Sequence, residues 1–537
     1  MPELARRPLS HRLRAGLLRD RPRGELLAWG LLVAVGLALR LADLGDRPFH
    51  HDESQDAYFS WLFQTSGSYE YDPLLHGPLR FYLTAAAYTL LGDSDFTARL
   101  APALMGTAMV GLPYLLREQL GRAAAFAAGV LLAAGPSYLY FSRFAREDIY
   151  IACVTLAMLV VTFRFFERPR RHHPALFGAL LAMSFAIKES TFITIFVAGS
   201  FFLIAIAWQA RAAGGLRDAP LVRALARPRR EDYAWGVVAF LGVYTLLFTT
   251  FLTNPSGIYG LYTGLEYWIG QHDVGRGGEP EYFYAIVLFA HEWPVLLLGA
   301  AGAVATFLRP TLLRLFLVWS FAVSLVVYSW AGEKFAWLVL HPLLPLILLA
   351  GVGLQAIWER RRRWYGAAAT AVVVLALAYS GYASFLVNAE HGTDPREFLV
   401  STQSSTDVSD TAREVLELAR RDPDLKITID SAEGATFPWA WYFRDLDVGY
   451  LDLSTTGAPP PESDVIVLTQ ASANRLAPNL TGYDARRIRF RVWWVRDYGG
   501  QTPARWARWF TEREPWNPTG GMPEWVYISR TASARVR

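Results

Sequence analysis

Residues 25–53 read ELLAWGLLVAVGLALRLADLGDRPFHHDE, an apolar run that ends in two imidazoles and two carboxylates. At about 1.5 Å per residue, a run of roughly 20 apolar residues crosses the ~30 Å hydrocarbon layer of a bilayer. The run follows an Arg-rich leader (Arg6, Arg7, Arg12, Arg14, Arg19, Arg21, Arg23) and carries no small-residue cleavage site. It therefore reads as a retained first helix and not as a removed signal peptide. His50, His51, Asp52 and Glu53 then fall where a membrane helix meets water, at the start of a Tyr- and Trp-rich loop.

Outward from this stretch the same pattern recurs. Of the 537 residues 53% are hydrophobic, and candidate spans are read at 25–44, 97–116, 122–140, 148–166, 174–187, 190–208, 234–253, 283–307, 311–330, 335–357 and 365–387. The expected fold is a polytopic α-helical membrane protein of about 11 spans. A net charge of +4 would fit a nucleic-acid partner, but the arginines concentrate in short loops between spans, and that distribution is a topology signal. No nucleic acid is expected. Placing Arg117–Arg122, Arg168–His173, Arg211–Arg230, Arg309–Arg314 and Arg360–Arg363 in the cytoplasm with the N-terminus makes the charge rule hold throughout. The parity requires that residues 79–92 do not cross, so they read as a juxtamembrane or re-entrant helix. The single cysteine, Cys153, excludes an internal disulfide framework.

Three regions follow: a cytoplasmic basic leader at 1–24, a membrane domain at 25–387 whose first outer loop spans 45–96, and an extracytoplasmic domain at 388–537. In the last, a helix is expected at Ser409–Arg421, strands at Lys426–Asp430, Val448–Leu453, Val465–Thr469 and Arg487–Val495, and a short aromatic helix near Phe437–Tyr442. Strand and helix alternation of this kind predicts a small α/β domain. Trp439, Trp441, Trp493, Trp494, Trp506 and Trp509 are candidates for sugar stacking, with core or interface packing as the commoner use.

The mixed-charge motifs all fall in loops assigned to the outer side: His50 to Glu53, Arg143 to Asp148, Lys188-Glu189, His272-Asp273 and Glu333-Lys334. Only three lysines, Lys188, Lys334 and Lys426, stand against 49 arginines. Two of them lie in these motifs, where a compact ammonium serves as a point charge for phosphate or carboxylate. Asp52 and Glu53 point differently on any regular backbone and so divide roles, one as a general base for a hydroxyl and the other toward a cation or a metal. A solvated helix cap is the structural alternative. Arg143 and Arg146 with Glu147 and Asp148 form either a phosphate clamp with a carboxylate orienter or metal ligand, or a plain helix N-terminus with snorkelling arginines. Glu189 reads as a local partner of Lys188. His291, Glu292 and His341 lie inside spans, where ionisable groups are expensive and often functional.

The order of a first helix, His50-His51-Asp52-Glu53, then His76-Gly77-Pro78, then Phe96-Thr97-Ala98-Arg99-Leu100 resembles the GT-C superfamily of polyprenyl-phosphate-sugar-dependent glycosyltransferases. Within it the chain is similar to the protein O-mannosyltransferase and aminoarabinose transferase branch. Phe141-Ser142-Arg143-Phe144, Asp148-Ile149-Tyr150, Ala331-Gly332-Glu333-Lys334 and Phe437-Pro438-Trp439-Ala440-Trp441-Tyr442 resemble, more narrowly, the flippase-activity-associated membrane protein family. The chain departs from that branch in carrying His76-Gly77-Pro78 where a Lys-Pro-Pro would stand.

The resemblance implies an inverting glycosyltransferase of the cell membrane, acting on the outer face with a polyprenyl-phosphate sugar donor and a glycan or protein acceptor. It implies Asp52 as general base, Glu53 in support, and Arg146, Lys188 and Lys334 as cations for the donor phosphate. His50, His51, His76, Glu147, Asp148, His272, Asp273 and Glu333 are further candidates for substrate or metal contact. No cofactor is required by this reading, and a divalent metal ion on Asp52, Glu53, Glu147, Asp148 and His272 is left open. The alternatives are a transporter or flippase-associated protein for lipid-linked glycans, and a membrane scaffold.

Overall fold

The computed structural model describes residues 23–270, 275–361, 366–455 and 462–536. Most of the leader, together with His272 and Asp273, lies outside the described residues. Among the described residues eight helices are long and apolar enough to cross a membrane: Arg23–Leu41, Leu100–Leu120, Glu147–Glu167, Thr191–Ala213, Phe283–Leu308, Leu312–Trp330, Ala336–Glu359 and Gly366–Glu390. The pair Arg122–Ala134 and Pro136–Ser142, bent by 56°, makes a ninth if it is one span. The break falls at Gly135, where Pro136 supplies no backbone donor to continue the helix.

Each of the eleven expected spans has its helix, but two do not pass as spans by length and apolarity. His172–Phe185 has only 14 residues, and Arg230–Phe248 carries Arg230, Glu231 and Asp232 in its first turn. The two helices pack on each other through Gly178 and Gly236, where a side chain on Gly178 would overlap the Gly236 carbonyl. Small residues let backbones touch in this way and gain dispersion contact that lipid cannot match. The helix Leu79–Leu91, at 13 residues, extends about 20 Å, short of the hydrocarbon thickness.

At the centre of the bundle lies Ala336–Glu359, buried along most of its length. A Cβ on its Gly353 would overlap the Leu298 carbonyl, and one on Gly302 the Leu349 carbonyl, so the helices Phe283–Leu308 and Ala336–Glu359 meet backbone to backbone.

The C-terminal domain is a six-stranded mixed sheet, β1 (Gln403–Ser404), β2 (Ile427–Asp430), β3 (Val448–Leu451), β4 (Val465–Thr469), β5 (Tyr483–Trp493) and β6 (Gly520–Ser529), in the order β1-β5-β6-β4-β2-β3. β2 runs parallel to β3 and β4, and the other pairs are antiparallel. The helix Thr406–Arg421 buries Val408, Ala412 and Val415 against β2, β4 and β5. Four expected strands and both expected helices are present. β1 and β6 are not among the expected strands: β1 has only two residues, and β6 opens on Gly520-Gly521 and contains Pro523, both strand-averse. Trp439, Trp441, Trp494 and Trp509 are buried, so they pack the core and are not stacking platforms.

The sheet domain is fastened to the first loop at several points. Trp441 Nε1 donates to Asp95 Oδ1 at 2.8 Å and Arg444 pairs with Asp93 at 2.6 Å. Phe49, Ala57, Tyr88, Ala98 and Trp441 close around one another as a small apolar core.

Candidate active site

The helix His51–Ser66 begins on a capping box. His50 Nδ1 accepts from the Asp52 amide at 3.0 Å, and the His50 amide donates to Glu53 Oε2 at 3.1 Å. This reciprocal arrangement satisfies two otherwise orphaned donors of a helix start. Because successive residues turn by about 100° on a helix, the cap sends Asp52 and Glu53 in different directions.

Glu53 is fully buried. Arg99 grips it in a fork, Nε to Oε1 at 2.8 Å and Nη2 to Oε2 at 2.9 Å, and the Ala145 amide donates to it at 2.9 Å. Burial alone would raise the pKa of Glu53, but Arg99 and Arg47 overcome this and hold it at about 2. With its lone pairs taken by protein donors, Glu53 holds the loop to Arg99 and presents nothing to a substrate.

Asp52 is the open member of the pair. Its side chain is 29% exposed and pairs with Arg146 Nη1. Arg146 lies 4.2 Å over the Trp337 ring and donates from Nη2 to Glu147 Oε1 at 2.8 Å. Lys188 Nζ bridges Glu147 Oε1 at 2.8 Å and Asp148 Oδ1 at 3.0 Å. Arg80 Nη1 reaches Glu147 Oε2 at 2.6 Å and its Nη2 reaches Asp56 Oδ1 at 2.9 Å. His76 Nδ1 donates to Glu189 Oε2 at 2.8 Å, with its other nitrogen 3.5 Å from Glu147. His341 stands 3.7 Å from Asp148.

The approach of His76 depends on Gly77. Its amide donates to the Ile187 carbonyl at 3.1 Å, and a Cβ there would overlap the Ala186 carbonyl. Burial depresses the imidazolium form of His76, but Glu147 and Glu189 more than compensate and raise its pKa above the ordinary value. Lys188 follows the same logic: burial lowers its pKa, and Asp148 and Glu147 bring it above that of a free lysine. Asp56 goes the other way, pushed well above the usual carboxylate range by burial, which Arg80 only partly offsets.

Asp52, His76, Arg146, Glu147, Asp148 and Lys188 are thus brought into one network. Other expected residues lie elsewhere. Lys334 turns back on its own loop and donates to the Ala331 carbonyl, and its backbone, with that of Gly332, pairs with Arg276. Glu333 is not in the network by contact, though its charge acts on Lys188. Arg143 points away, donating at 3.2 Å to the carbonyls of Asp43 and Asn388, so it forms no clamp with Arg146. Glu189 does not pair with Lys188 as expected but with His76 and Tyr71. His50 and His51 fasten the sheet domain: His50 Nε2 meets the Ser401 carbonyl at 2.8 Å, and His51 Nδ1 meets Arg491 Nη2 at 2.7 Å.

Arg80 and Asp56 were missed by sequence reasoning. The one available signal was Arg80 itself, a lone cation opening an otherwise apolar helix. Among the described residues no three His, Cys, Asp or Glu side chains converge as a metal-holding group.

An apolar cavity of about 410 Å³ lies in the bundle between the helices Glu147–Glu167, Thr191–Ala213, Leu312–Trp330 and Ala336–Glu359, lined by Met158, Phe202, Phe316 and Leu344 among others. Tyr328 and His341, stacked with ring centroids 4.6 Å apart, also line it and link it to Asp148. A larger cavity of about 810 Å³, between residues 390–396 and the strands β5 and β6, is lined by none of the network side chains.

Residues 75–213 match the family described as dolichyl-phosphate-mannose-protein mannosyltransferase. Among solved structures the chain is similar to ArnT from Cupriavidus metallidurans bound to undecaprenyl phosphate, at 16% identity and a TM-score of 0.62 over 95% of this chain and 99% of that one. The apo state of the same protein matches at 18% identity and a TM-score of 0.61, over 85% and 96%. The Archaeoglobus fulgidus oligosaccharyltransferase in its apo form matches at 13% identity and a TM-score of 0.50, over 81% of this chain and 61% of that one. No curated protein matches the sequence significantly. The chain has the fold of the GT-C superfamily of membrane glycosyltransferases. It is a multi-pass membrane protein.

Proposed function

We propose that this protein is a membrane glycosyltransferase that moves a sugar from a polyprenyl-phosphate donor to a hydroxyl acceptor on the outer face, with inversion. One observation carries the reading. In a network of five carboxylates the side chain of Asp52 is 29% exposed, while those of Asp56, Glu147, Asp148 and Glu189 are at most 11% exposed. A general base must reach the proton it takes, and Asp52 alone of the five is placed to do so.

The chemistry follows from that carboxylate. Asp52 accepts the proton of the acceptor hydroxyl, whose oxygen attacks the anomeric carbon. The bond from that carbon to the phosphate oxygen breaks, and polyprenyl phosphate departs with a second negative charge. Fixed cations stabilise charge that develops in a transition state, so no general acid is needed. Arg146 is the cation in reach. It is held by Asp52 and Glu147 and fixed against Trp337, and a donor phosphate that competes for it would free Asp52 to act. Lys188, shut between Glu147 and Asp148, positions those acids and does not meet the phosphate itself. The apolar cavity beneath His341 suits an isoprenoid chain. ArnT from Cupriavidus metallidurans, which shares the fold, has been crystallised with undecaprenyl phosphate.

The test uses purified protein in lipid nanodiscs with a synthetic polyprenyl-phosphate sugar. Wild type is expected to release polyprenyl phosphate, and Asp52→Asn to lose at least about 100-fold of that rate, the lower range of general-base contributions. A variant within threefold of wild type sinks the reading.

A further inference from the structure

The open face of the helix His51–Ser66 continues beyond Asp52. Partly or fully exposed residues recur at His51, Asp52, Gln55, Tyr58, Phe59 and Leu62, while Glu53, Ser54, Asp56, Ala57 and Ser60 between them are buried. This spacing places the exposed set on one stripe of the helix. At helical rise the stripe runs roughly 10 Å from Asp52 to Phe59.

The sheet domain supplies a second wall. The Phe437 ring lies 6.0 Å from His51, 5.7 Å from Tyr58 and 6.2 Å from Phe59, and Tyr58 lies 5.6 Å from Trp61. Near Asp52 the strip is polar: Gln55 Nε2 sits 2.8 Å from His51 Nε2, and Arg491 closes on the other ring nitrogen. Aromatic rings therefore follow hydrogen-bonding groups along a single exposed line that starts at the candidate base.

We propose that this strip is the acceptor subsite and that the acceptor is a carbohydrate, stacked on Phe59 and Phe437 with a hydroxyl directed at Asp52. The proposal rests on the glycosyltransferase reading and names its second substrate. An aromatic face carries partial negative charge, which the C–H-rich face of a sugar ring complements, while the ring's hydroxyls need the donors and acceptors that Asp52 and Gln55 offer. A purely apolar ligand would strip water from the partly open Asp52 carboxylate and Gln55 amide without replacing it, at a cost in binding. Two walls from two domains also explain why His51, which ties the domains together, stands beside the base.

Saturation-transfer NMR on the detergent-solubilised full chain tests this, with gluco-, galacto- and manno-configured trisaccharides and a Ser/Thr-rich peptide as probes. At least one trisaccharide is expected to bind, with tenfold or greater weakening in Phe59→Ala and in Phe437→Ala, and recovery in Phe59→Tyr. Binding of the peptide alone, of no trisaccharide, or of a trisaccharide indifferent to both alanine variants overturns the proposal. Failure of the underlying reading registers separately, as absence of polyprenyl-phosphate release by wild type.

Discussion

Asp52 and Glu53 are adjacent in the chain and are held by different arginines: Asp52 by Arg146 from the start of the helix Glu147–Glu167, and Glu53 by Arg99 from the turn before Leu100–Leu120. The Asp52 carboxylate is partly open to solvent and the Glu53 carboxylate fully closed. The capping geometry at His50 divides them, so one acid serves the site and the other its foundation.

Glu53→Gln is expected to destabilise the protein strongly while leaving the Asp52 pair chemically intact. Removing one partner of a buried ion pair costs about 3–5 kcal/mol, here by stranding Arg99. Because Glu53 is held at about 2 against an ordinary 4.5, its contribution is full above pH 4.5 and fades as pH falls toward 2. Thermal midpoints of wild type and variant should therefore converge over that window. A constant gap across it would refute the assignment.

On the proposed function, Arg146→Ala is expected to lower kcat and raise the KM for the polyprenyl-phosphate donor together, since the guanidinium would both restrain the base and meet the phosphate. Arg146→Lys should recover part of the KM and less of kcat, because an ammonium lacks the planar fork that spans Asp52 and Glu147. Full recovery of both by lysine would show that charge alone is needed.

Lys188→Met is expected to behave as a folding lesion. It takes from buried Asp148 its cation at 3.0 Å, while Glu147 keeps Arg146 and Arg80, at a cost of about 3–5 kcal/mol. The thermal midpoint should fall by many degrees in detergent and recover in Lys188→Arg to the extent that the larger head fits. A normal midpoint with a selective rise in donor KM would instead return Lys188 to the phosphate.

Docking of the sheet domain is expected to weaken in mild acid. Burial, and then Arg491, lowers the pKa of His51 to about 4 from 6.5, with Arg146 adding to it, and burial lowers that of His50 to about 3. Between pH 6.5 and about 4 the undocked chain binds more protons than the docked one, so stability drops as pH falls. For His51 the full span is about 3–4 kcal/mol at ~1.4 kcal/mol per unit. Hydrogen exchange at β1 and β5 should accelerate over this range in wild type and respond less in His51→Gln. An equal response in the two would remove His51 from the fastening.

Gly77→Ala is expected to abolish the His76–Glu189 contact by forcing residues 76–79 off the Ala186 carbonyl. Loss of transferase activity with a well-folded sheet domain is the outcome to look for, and activity within twofold of wild type would show that His76 has no part in the network.

The membrane class, the position of every long helix and the α/β character of the C-terminal domain were legible in the chain, because each rests on local pattern: apolar length, charge at loop ends and strand alternation. Which charge meets which was not. Glu189 sits next to Lys188 yet pairs with His76, 113 residues away; Lys334 resembles Lys188 in its setting yet serves its own loop; Arg80 reads as a stray cation until the fold sets it between Asp56 and Glu147. Burial decides these matters, since a charge removed from water must find whichever partner the packing of distant helices brings within about 3 Å. That distance belongs to the tertiary structure, and the sequence alone determined only that such charges would have to be paired.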